Sequence, residues 1–178
     1  YFDKNKKLAY YLNGANTTQE DSKIYSEKGF YNTSNKYLKL KDSVKIENPE
    51  YTIESDTLEY STDSKTSYFL GPTYITLEKE EIYCESGFYN RTLEIGQFET
   101  NAVLKQNDQS LHADSIYFEK RINFSKAYRD VVLTDKKENL KIKGEYGYFN
   151  RNSNFSYITE NVIFAQGSEE EDSLYLVC

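Results

Sequence analysis

The chain has 178 residues and a net charge of −7, from 22 Lys and Arg against 29 Asp and Glu. No block of basic residues stands out, which argues against a nucleic-acid partner, because binding a phosphate backbone needs a basic stripe. No run approaches the ~18 apolar residues of a membrane-spanning helix.

The first element that the chain indicates is a repeat. Aromatic residues recur in steps of 29, and the last step is 31. These aromatic anchors are Phe2, Tyr31, Tyr60, Tyr89, Phe118 and Phe149. Apolar and small residues keep register with the anchors at several fixed offsets. Periods of roughly 20 to 50 residues are typical of repeat architectures, so we predict about six stacked repeats of ~29 residues.

Within each repeat the apolar positions are two residues apart, which is the periodicity of a β-strand. Residues 38–47, 73–80 and 139–146 alternate apolar and polar side chains in this way. We therefore predict an all-β fold with two to four short strands in each repeat. Gly29, Gly87 and Gly147 stand two residues before an anchor, and we expect the chain to bend there.

Residues 1–178 are predicted to form a single domain, cut in mid-repeat at both ends. Six rungs at strand spacing of ~4.8 Å predict a body roughly 25–30 Å long. Strand edges left unpaired at the two ends are templates for further strands.

Catalytic and metal-binding chemistry finds little support in the sequence. The one histidine, His112, is expected to face outward, and no zinc ligand set accompanies it. Cys84 and Cys178 occupy the same repeat column, and we predict two free, inward-facing thiols. We predict no cofactor, no metal and no enzymatic activity.

The interior columns leave two interpretations open. One column holds only small residues: Ser26, Ser55, Cys84, Ala113 and Gly144. Composition alone favours a filled core in which small residues occupy tight corners. The alternative is a partly unfilled groove lined by aliphatic and aromatic side chains, which suits acyl chains because each buried CH₂ contributes ~0.8 kcal/mol.

The repeat unit resembles that of the OstA-like family of lipopolysaccharide transport proteins. Residues 111–135 are the clearest copy, and residues 53–78 are similar to them. The resemblance implies an elongated, open and twisted antiparallel β-jellyroll whose hydrophobic groove carries acyl chains and whose ends join like domains. The repeat length and the tyrosine content favour a divergent member of the family.

The resemblance also implies which side chains line the groove. These candidate lipid-binding residues are Ile24, Tyr31, Val44, Ile46, Ile53, Tyr60, Ile75, Ile82, Tyr89, Leu104, Leu111, Phe118, Val131, Leu133, Ile142, Phe149, Val162 and Phe164.

The resulting hypothesis is a non-enzymatic conduit in the periplasm of a Gram-negative envelope. Its expected partners are lipopolysaccharide or a related glycolipid, and other OstA-like domains that pair with the terminal strand edges. One alternative is a structural β-solenoid, such as an adhesin or surface spacer with a filled core. Another is an enzyme acting on envelope glycans, which would need two carboxylates converging ~5–10 Å apart in a cleft.

Overall fold

The fold is all-β, as the two-residue periodicity predicts. The computed structural model describes residues 1–19, 21–153, 155–167 and 174–177. The strands are β1 Phe2–Asp3, β2 Leu8–Tyr11, β3 Ala15–Gln19, β4 Ser22–Ser26, β5 Lys28–Asn32, β6 Tyr37–Asn48, β7 Tyr51–Ser61, β8 Thr66–Leu77, β9 Glu80–Asn90, β10 Ile95–Gln106, β11 Gln109–Glu119, β12 Phe124–Asp135, β13 Leu140–Asn150, β14 Phe155–Thr159, β15 Ile163–Gln166 and β16 Leu174–Val177. A 3₁₀ turn spans Lys120–Ile122.

The strands form one open antiparallel sheet in which chain neighbours pair with each other. From β6 to β13 the spatial order is the chain order, and β1 and β16 stand at the two ends of the path. Short polar turns join consecutive strands, which is the connection that antiparallel neighbours allow. The open, elongated antiparallel architecture that the family resemblance implies is therefore confirmed.

Each long strand bends near its middle. In β6 the pairing register shifts between Lys41 and Val44, where Asp42 and Ser43 have left-handed φ values of 61° and 54°. The corresponding residues of β10 are Thr100 and Asn101, with φ values of 60° and 58°. Two successive left-handed residues turn the strand through a corner without ending its ladder. Near both ends of the sheet, the bend divides the strand into two short ones, as in β4 and β5.

The aligned bends fold the sheet into two facing arms along one crease. The half-strands of the aromatic arm end in turns 4–7, 33–36, 62–65, 91–94, 120–123 and 151–153. Those of the aliphatic arm end in turns 49–50, 78–79, 107–108 and 136–139. We call the space between the inner faces the trough, and the gap between the tips of the arms its mouth.

The hydrophobic core follows the crease. Its largest fully buried side chains include Phe69, Phe98 and Ile116, each at most 1% exposed. The buried apolar residues are Ile24, Leu40, Val44, Leu58, Phe69, Cys84, Phe98, Ala102, Leu111, Ala113, Ile116, Ala127 and Val131. The core contains residues from both arms, so the two inner faces pack on each other near the bend.

The repeat contains two long strands rather than several short ones. Left-handed residues recur at Lys7, Lys36, Lys65, Glu94 and Asn123, each just before a strand begins. Each repeat therefore contributes two strand spacings of ~4.8 Å to the length of the body. The length predicted from one spacing per repeat is wrong by about a factor of two.

The glycines near the anchors allow close approach rather than forming the corners. A Cβ on Gly29 would lie within 2.6 Å of two ring atoms and the hydroxyl oxygen of Tyr11, and one on Gly87 would lie 2.3 Å from the Gln97 carbonyl oxygen. The corners themselves are the register shifts described above, which precede these glycines in the odd-numbered strands. The predicted bend is present, but another set of residues makes it.

Candidate functional site

An unbroken row of aliphatic side chains runs along the inner face of the aliphatic arm. Ladder pairing places its members directly opposite one another on ten half-strands. The row is Ile24, Ile46, Ile53, Ile75, Ile82, Leu104, Leu111, Leu133, Ile142 and Phe164. At ~4.8 Å per strand it is roughly 43 Å long, and no charged residue interrupts it.

A second row faces it from the aromatic arm. In this row aromatic residues on the odd-numbered strands alternate mostly with small residues on their neighbours. The row is Ala9, Tyr31, Leu38, Tyr60, Ser67, Tyr89, Gly96, Phe118, Ser125, Phe149 and Ser156. Small neighbours leave room for the rings to lie over the sheet. A Cβ on Gly96, for example, would lie 2.2 Å from the nearest ring atom of Phe118.

All eighteen groove residues proposed from the sequence lie among buried or half-buried positions. Ile24, Val44, Leu111 and Val131 are buried. The other fourteen are half-buried, and none is exposed. Val162 precedes β15 rather than lying in it. Two of the buried residues, Val44 and Val131, adjoin the corners. The other two, Ile24 and Leu111, belong to the aliphatic row.

The crease itself is filled. The Phe98 ring packs against Phe69, with 6.2 Å between centroids, and stacks on Phe118 at 5.4 Å. Phe118 in turn stacks on Tyr89 at 5.8 Å, with the rings 6° from parallel. The deepest part of the trough thus resembles a packed protein interior. Apolar surface that is only partly buried remains along the two rows nearer the mouth.

The two arms come close at one point of the mouth. Arg151 Nη1, on the tip of the aromatic arm, lies 4.0 Å from Glu80 Oε1, at the rim of the aliphatic arm. The same carboxylate oxygen accepts a hydrogen bond of 2.8 Å from Gln106 Nε2. Burial raises the pKa of Tyr89, with smaller contributions that include Tyr51 of the facing arm.

Polar chemistry suited to catalysis is sparse in the described part of the chain. His112 is exposed, as predicted, and partial burial followed by Lys105 and Lys141 lowers its pKa. No group of three or more potential metal ligands converges among the described residues. Cys84 is a fully buried free thiol, and burial raises its pKa to about 12. Cys178, the other predicted inward thiol, lies outside the described residues.

One acidic column escaped the sequence analysis. It stands four residues before the anchors, at Glu27, Asp56, Glu85, Asp114 and Glu145. These residues point to the outer side of the crease, where Glu85 accepts a 2.8 Å hydrogen bond from Asn101 and Asp114 one of 2.8 Å from Arg129. The carboxylates hold the corners of neighbouring strands. Their 29-residue spacing was the available signal.

These carboxylates do not form the paired site of a glycan hydrolase. Such a site needs two carboxyl groups converging on a bond in a concave cleft. The acidic column lies on the outer side of the bend, where Glu27, Glu85, Asp114 and Glu145 accept hydrogen bonds from corner residues. Within the described residues, no helix is long and apolar enough to cross a membrane.

Comparison with known proteins adds a family and one solved structure. The sequence matches the family described as OstA-like protein over residues 1–56 and 94–172. A crystal structure of LptH from Pseudomonas aeruginosa, described as the LptA-homologous periplasmic component of the lipopolysaccharide transport device, aligns with a TM-score of 0.45. The identity is 10%, and the alignment covers 66% of this chain and 78% of that one. No curated protein matches the chain significantly.

Proposed function

The chain belongs to the OstA-like family, and from that membership and the trough we propose that it is a conduit for lipopolysaccharide or a related glycolipid. In this proposal it acts in the periplasm, without catalysing a reaction. The acyl chains lie along the trough, and the saccharide head projects from the mouth. Another component of the pathway supplies the energy, and the lipid passes between matched grooves.

The observation that carries the proposal is the unbroken aliphatic row. Ten consecutive half-strands contribute an aliphatic or aromatic side chain to it, and most of these side chains are half-exposed. A continuous, partly exposed apolar strip of this kind is typical of a surface that binds an apolar partner. An acyl chain lying on it would gain ~0.8 kcal/mol for each CH₂ removed from water.

The packing of the crease defines where such a chain would lie. Val44 and Val131 are 2% and 0% exposed, so they support the fold and offer no surface to a ligand. Ile82 and Leu104 are half-buried and pair with each other across β9 and β10. We therefore assign lipid contact to the mouth rows, with the aromatic row as the opposite wall.

The proposal also includes other OstA-like domains as partners. The sheet is open, and among the described strands its aliphatic arm ends with β3 on one side and β16 on the other. An edge strand offers unpaired N–H and C=O groups to a further strand. Pairing of this kind would align the aliphatic rows of two domains and extend the trough from one to the next.

A structural scaffold is the second candidate, and the filled crease favours it. Phe69, Phe98 and Ile116 pack as they would in a β-protein that binds nothing. The two candidates differ at the mouth. A scaffold does not need a continuous apolar row there, whereas a conduit does.

Site-specific photo-crosslinking to lipopolysaccharide tests the choice. A photoreactive residue at Ile82 or Leu104 should crosslink to the lipid. The matched controls are Glu81 and Lys105, the next residues along the same strands, which point to the outer face. Crosslinks from the inner pair alone support the conduit. If no inner position crosslinks, although the circular dichroism of the protein is that of the wild type, the conduit is contradicted and the structural scaffold is favoured.

A further inference from the structure

Lysine and arginine concentrate on one edge of the trough. The turns at the tip of the aromatic arm form what we call the basic rim. The cations of the rim are Lys4, Lys6, Lys7, Lys36, Lys65, Arg91, Lys120, Arg121 and Arg151. Each of the six turns contributes at least one, and only Asp63 and Glu94 oppose them within the turns. This excess of positive charge lies on a chain whose net charge is −7.

The facing edge does not share this composition. The described turns of the aliphatic arm hold three lysines, Lys79, Lys136 and Lys137. Against them stand the acidic residues Asp21, Glu50, Glu78, Asp108 and Glu138. The two edges of the mouth therefore differ in charge. Basic residues are in excess on the basic rim, and acidic residues are in excess on the facing edge. General solubility does not require that arrangement, because mixed charges on both edges would serve equally well.

Backbone hydrogen bonds fix the basic turns in a row. The first residue of each turn donates its N–H to a carbonyl oxygen at the end of the turn before it. Thr62 donates to Lys36 at 3.1 Å, Arg91 to Lys65 at 3.0 Å and Lys120 to Glu94 at 2.9 Å. Successive turns are two strands apart, or roughly 10 Å. The cations thus stand on an ordered edge rather than on separate loops.

Most of these cations have no acidic partner. Lys36 contacts Asp63 at 3.1 Å and Arg121 contacts Glu94 at 3.8 Å. Lys65, Arg91 and Lys120 are exposed and form no ion pair within the described residues. Their charges are therefore available to a ligand, and the fold does not need them to neutralise carboxylates.

The rim directly follows the aromatic row. Turn 91–94 begins two residues after Tyr89, and turn 120–123 begins two residues after Phe118. An amphiphile with its chain on the mouth rows therefore meets cations where its polar head leaves the trough. Phosphate is the head-group chemistry that such a row complements, because charge-assisted hydrogen bonds from Lys and Arg to phosphate are among the strongest in proteins.

We propose that the basic rim binds the phosphate of a phosphorylated lipid head while the acyl chains lie in the trough. This inference rests on the proposed function, because it requires a lipid in the trough. It adds that the head group carries negative charge and that the basic rim is the edge of the mouth that binds it. A local cationic row also lets an acidic protein attract an anionic ligand, and salt should weaken this attraction.

The test uses two monomeric lipids that differ only in phosphate. The probes are 1-oleoyl lysophosphatidic acid and 1-oleoylglycerol, each kept below its critical micelle concentration. Binding is measured by displacement of the neutral fluorophore N-phenyl-1-naphthylamine at 50 and 500 mM NaCl. The rim variant is Lys65→Gln/Arg91→Gln/Lys120→Gln. The charge-matched control is Lys23→Gln/Lys141→Gln/Lys143→Gln, whose three lysines are exposed on the outer face of the aliphatic arm.

The expected result is selective for phosphate and for position. The wild type should bind the phosphorylated lipid more tightly, and the rim variant should lose roughly five- to tenfold of that affinity at low salt. Its affinity for 1-oleoylglycerol should change less than twofold, and the control variant should change less than twofold for both lipids. The preference for phosphate should shrink at 500 mM NaCl.

Other outcomes overturn the inference. The rim does not bind phosphate if the wild type has equal affinity for the two lipids. The same holds if the rim variant loses equal affinity for both. If the control variant loses as much affinity for the phosphorylated lipid as the rim variant does, the loss follows from the change in net charge and not from the position of the rim. If the rim variant loses only binding to sedimented phosphatidylglycerol vesicles, the rim docks on a bilayer surface instead. Failure of both lipids to displace the fluorophore would contradict the proposed function itself.

Discussion

Arg151 and Glu80 lie 4.0 Å apart across the mouth, although they belong to different arms of the folded sheet. Both side chains are substantially exposed, at 63% and 42%. An exposed pair of this kind contributes less than about 1 kcal/mol. The contact therefore closes the mouth only weakly at this point, and a lipid entering the trough would have little to break.

We predict that Glu80→Gln lowers the free energy of unfolding by less than about 1 kcal/mol, and that 0.5 M NaCl abolishes the difference. Urea denaturation measures this. Lys45→Gln is the matched control, because Lys45 contacts Glu47 at 3.0 Å on the outer face of the aliphatic arm. A loss above about 2 kcal/mol for Glu80→Gln alone would mean that the pair holds the arms together.

Crease and mouth residues should respond differently to truncation. Phe98 is 1% exposed, so Phe98→Ala should cost about 3–5 kcal/mol in urea denaturation. Ile82 is half-buried, and Ile82→Ala should cost about 1–2 kcal/mol, less than a fully buried isoleucine.

Binding should show the opposite order. Ile82→Ala should weaken displacement of N-phenyl-1-naphthylamine by 1-oleoylglycerol, because the mouth row loses apolar surface. Phe98→Leu, which keeps a large side chain in the crease, should leave binding unchanged. Equal loss of binding in both variants would show that the ligand enters the crease, against the assignment of lipid contact to the mouth rows.

Gly96 and Phe118 should be energetically coupled. Because a Cβ on Gly96 would lie 2.2 Å from the Phe118 ring, Gly96→Ala should destabilise the fold by about 1–3 kcal/mol. In a Phe118→Leu background the same change should cost less, since the smaller side chain leaves space. A double-mutant cycle measures the difference. Additive effects would show that the glycine is needed for another reason.

Alkaline pH should destabilise the protein in part through Cys84. Burial raises the pKa of its thiol to about 12, whereas a thiol in an unfolded chain ionises near ~8.5. Between these values the unfolded chain has lost the proton and the folded chain retains it, so stability falls as pH rises. The urea midpoint should be lower at pH 10 than at pH 8, and Cys84→Ala should reduce that difference. An unchanged difference would mean that the thiol ionises to the same extent in the folded and unfolded states.

The rows of the trough could be predicted from the sequence because a strand has a strict two-residue period. Once Ile53, Ile75 and Ile82 occupy fixed offsets from the anchors, parity alone assigns them to one face. The alternation of Tyr89 and Phe118 with small residues on neighbouring strands was harder to see. The residues opposite the rings also keep a fixed offset, seven residues after each anchor, as at Ser67, Gly96 and Ser125. Only the pairing of adjacent strands shows that each of them lies beside an aromatic ring.

The corners and the basic rim could not be predicted in the same way. Asp42 and Asn101 are of the residue types that tolerate a left-handed backbone best, but Ser43 and Thr100 are not, so their identity alone does not place a corner there. The rim cations change from the last position of the turn, at Lys7, Lys36 and Lys65, to the first, at Arg91, Lys120 and Arg151. Only the pairing register, which brings successive turns side by side, assembles Lys65 and Arg91 into one edge.

The corner at Thr100 offers a test of this account. Its φ of 60° is costly for a β-branched side chain, which favours extended backbone. Thr100→Gly should therefore raise the free energy of unfolding by about 1 kcal/mol, because relief of strain exceeds the added entropy of the unfolded chain. Thr134→Gly, in an extended stretch of β12, is the control and should lower it. Urea denaturation gives the free energy of unfolding of both variants. If Thr100→Gly lowers it, side-chain contacts rather than backbone preference hold the corner.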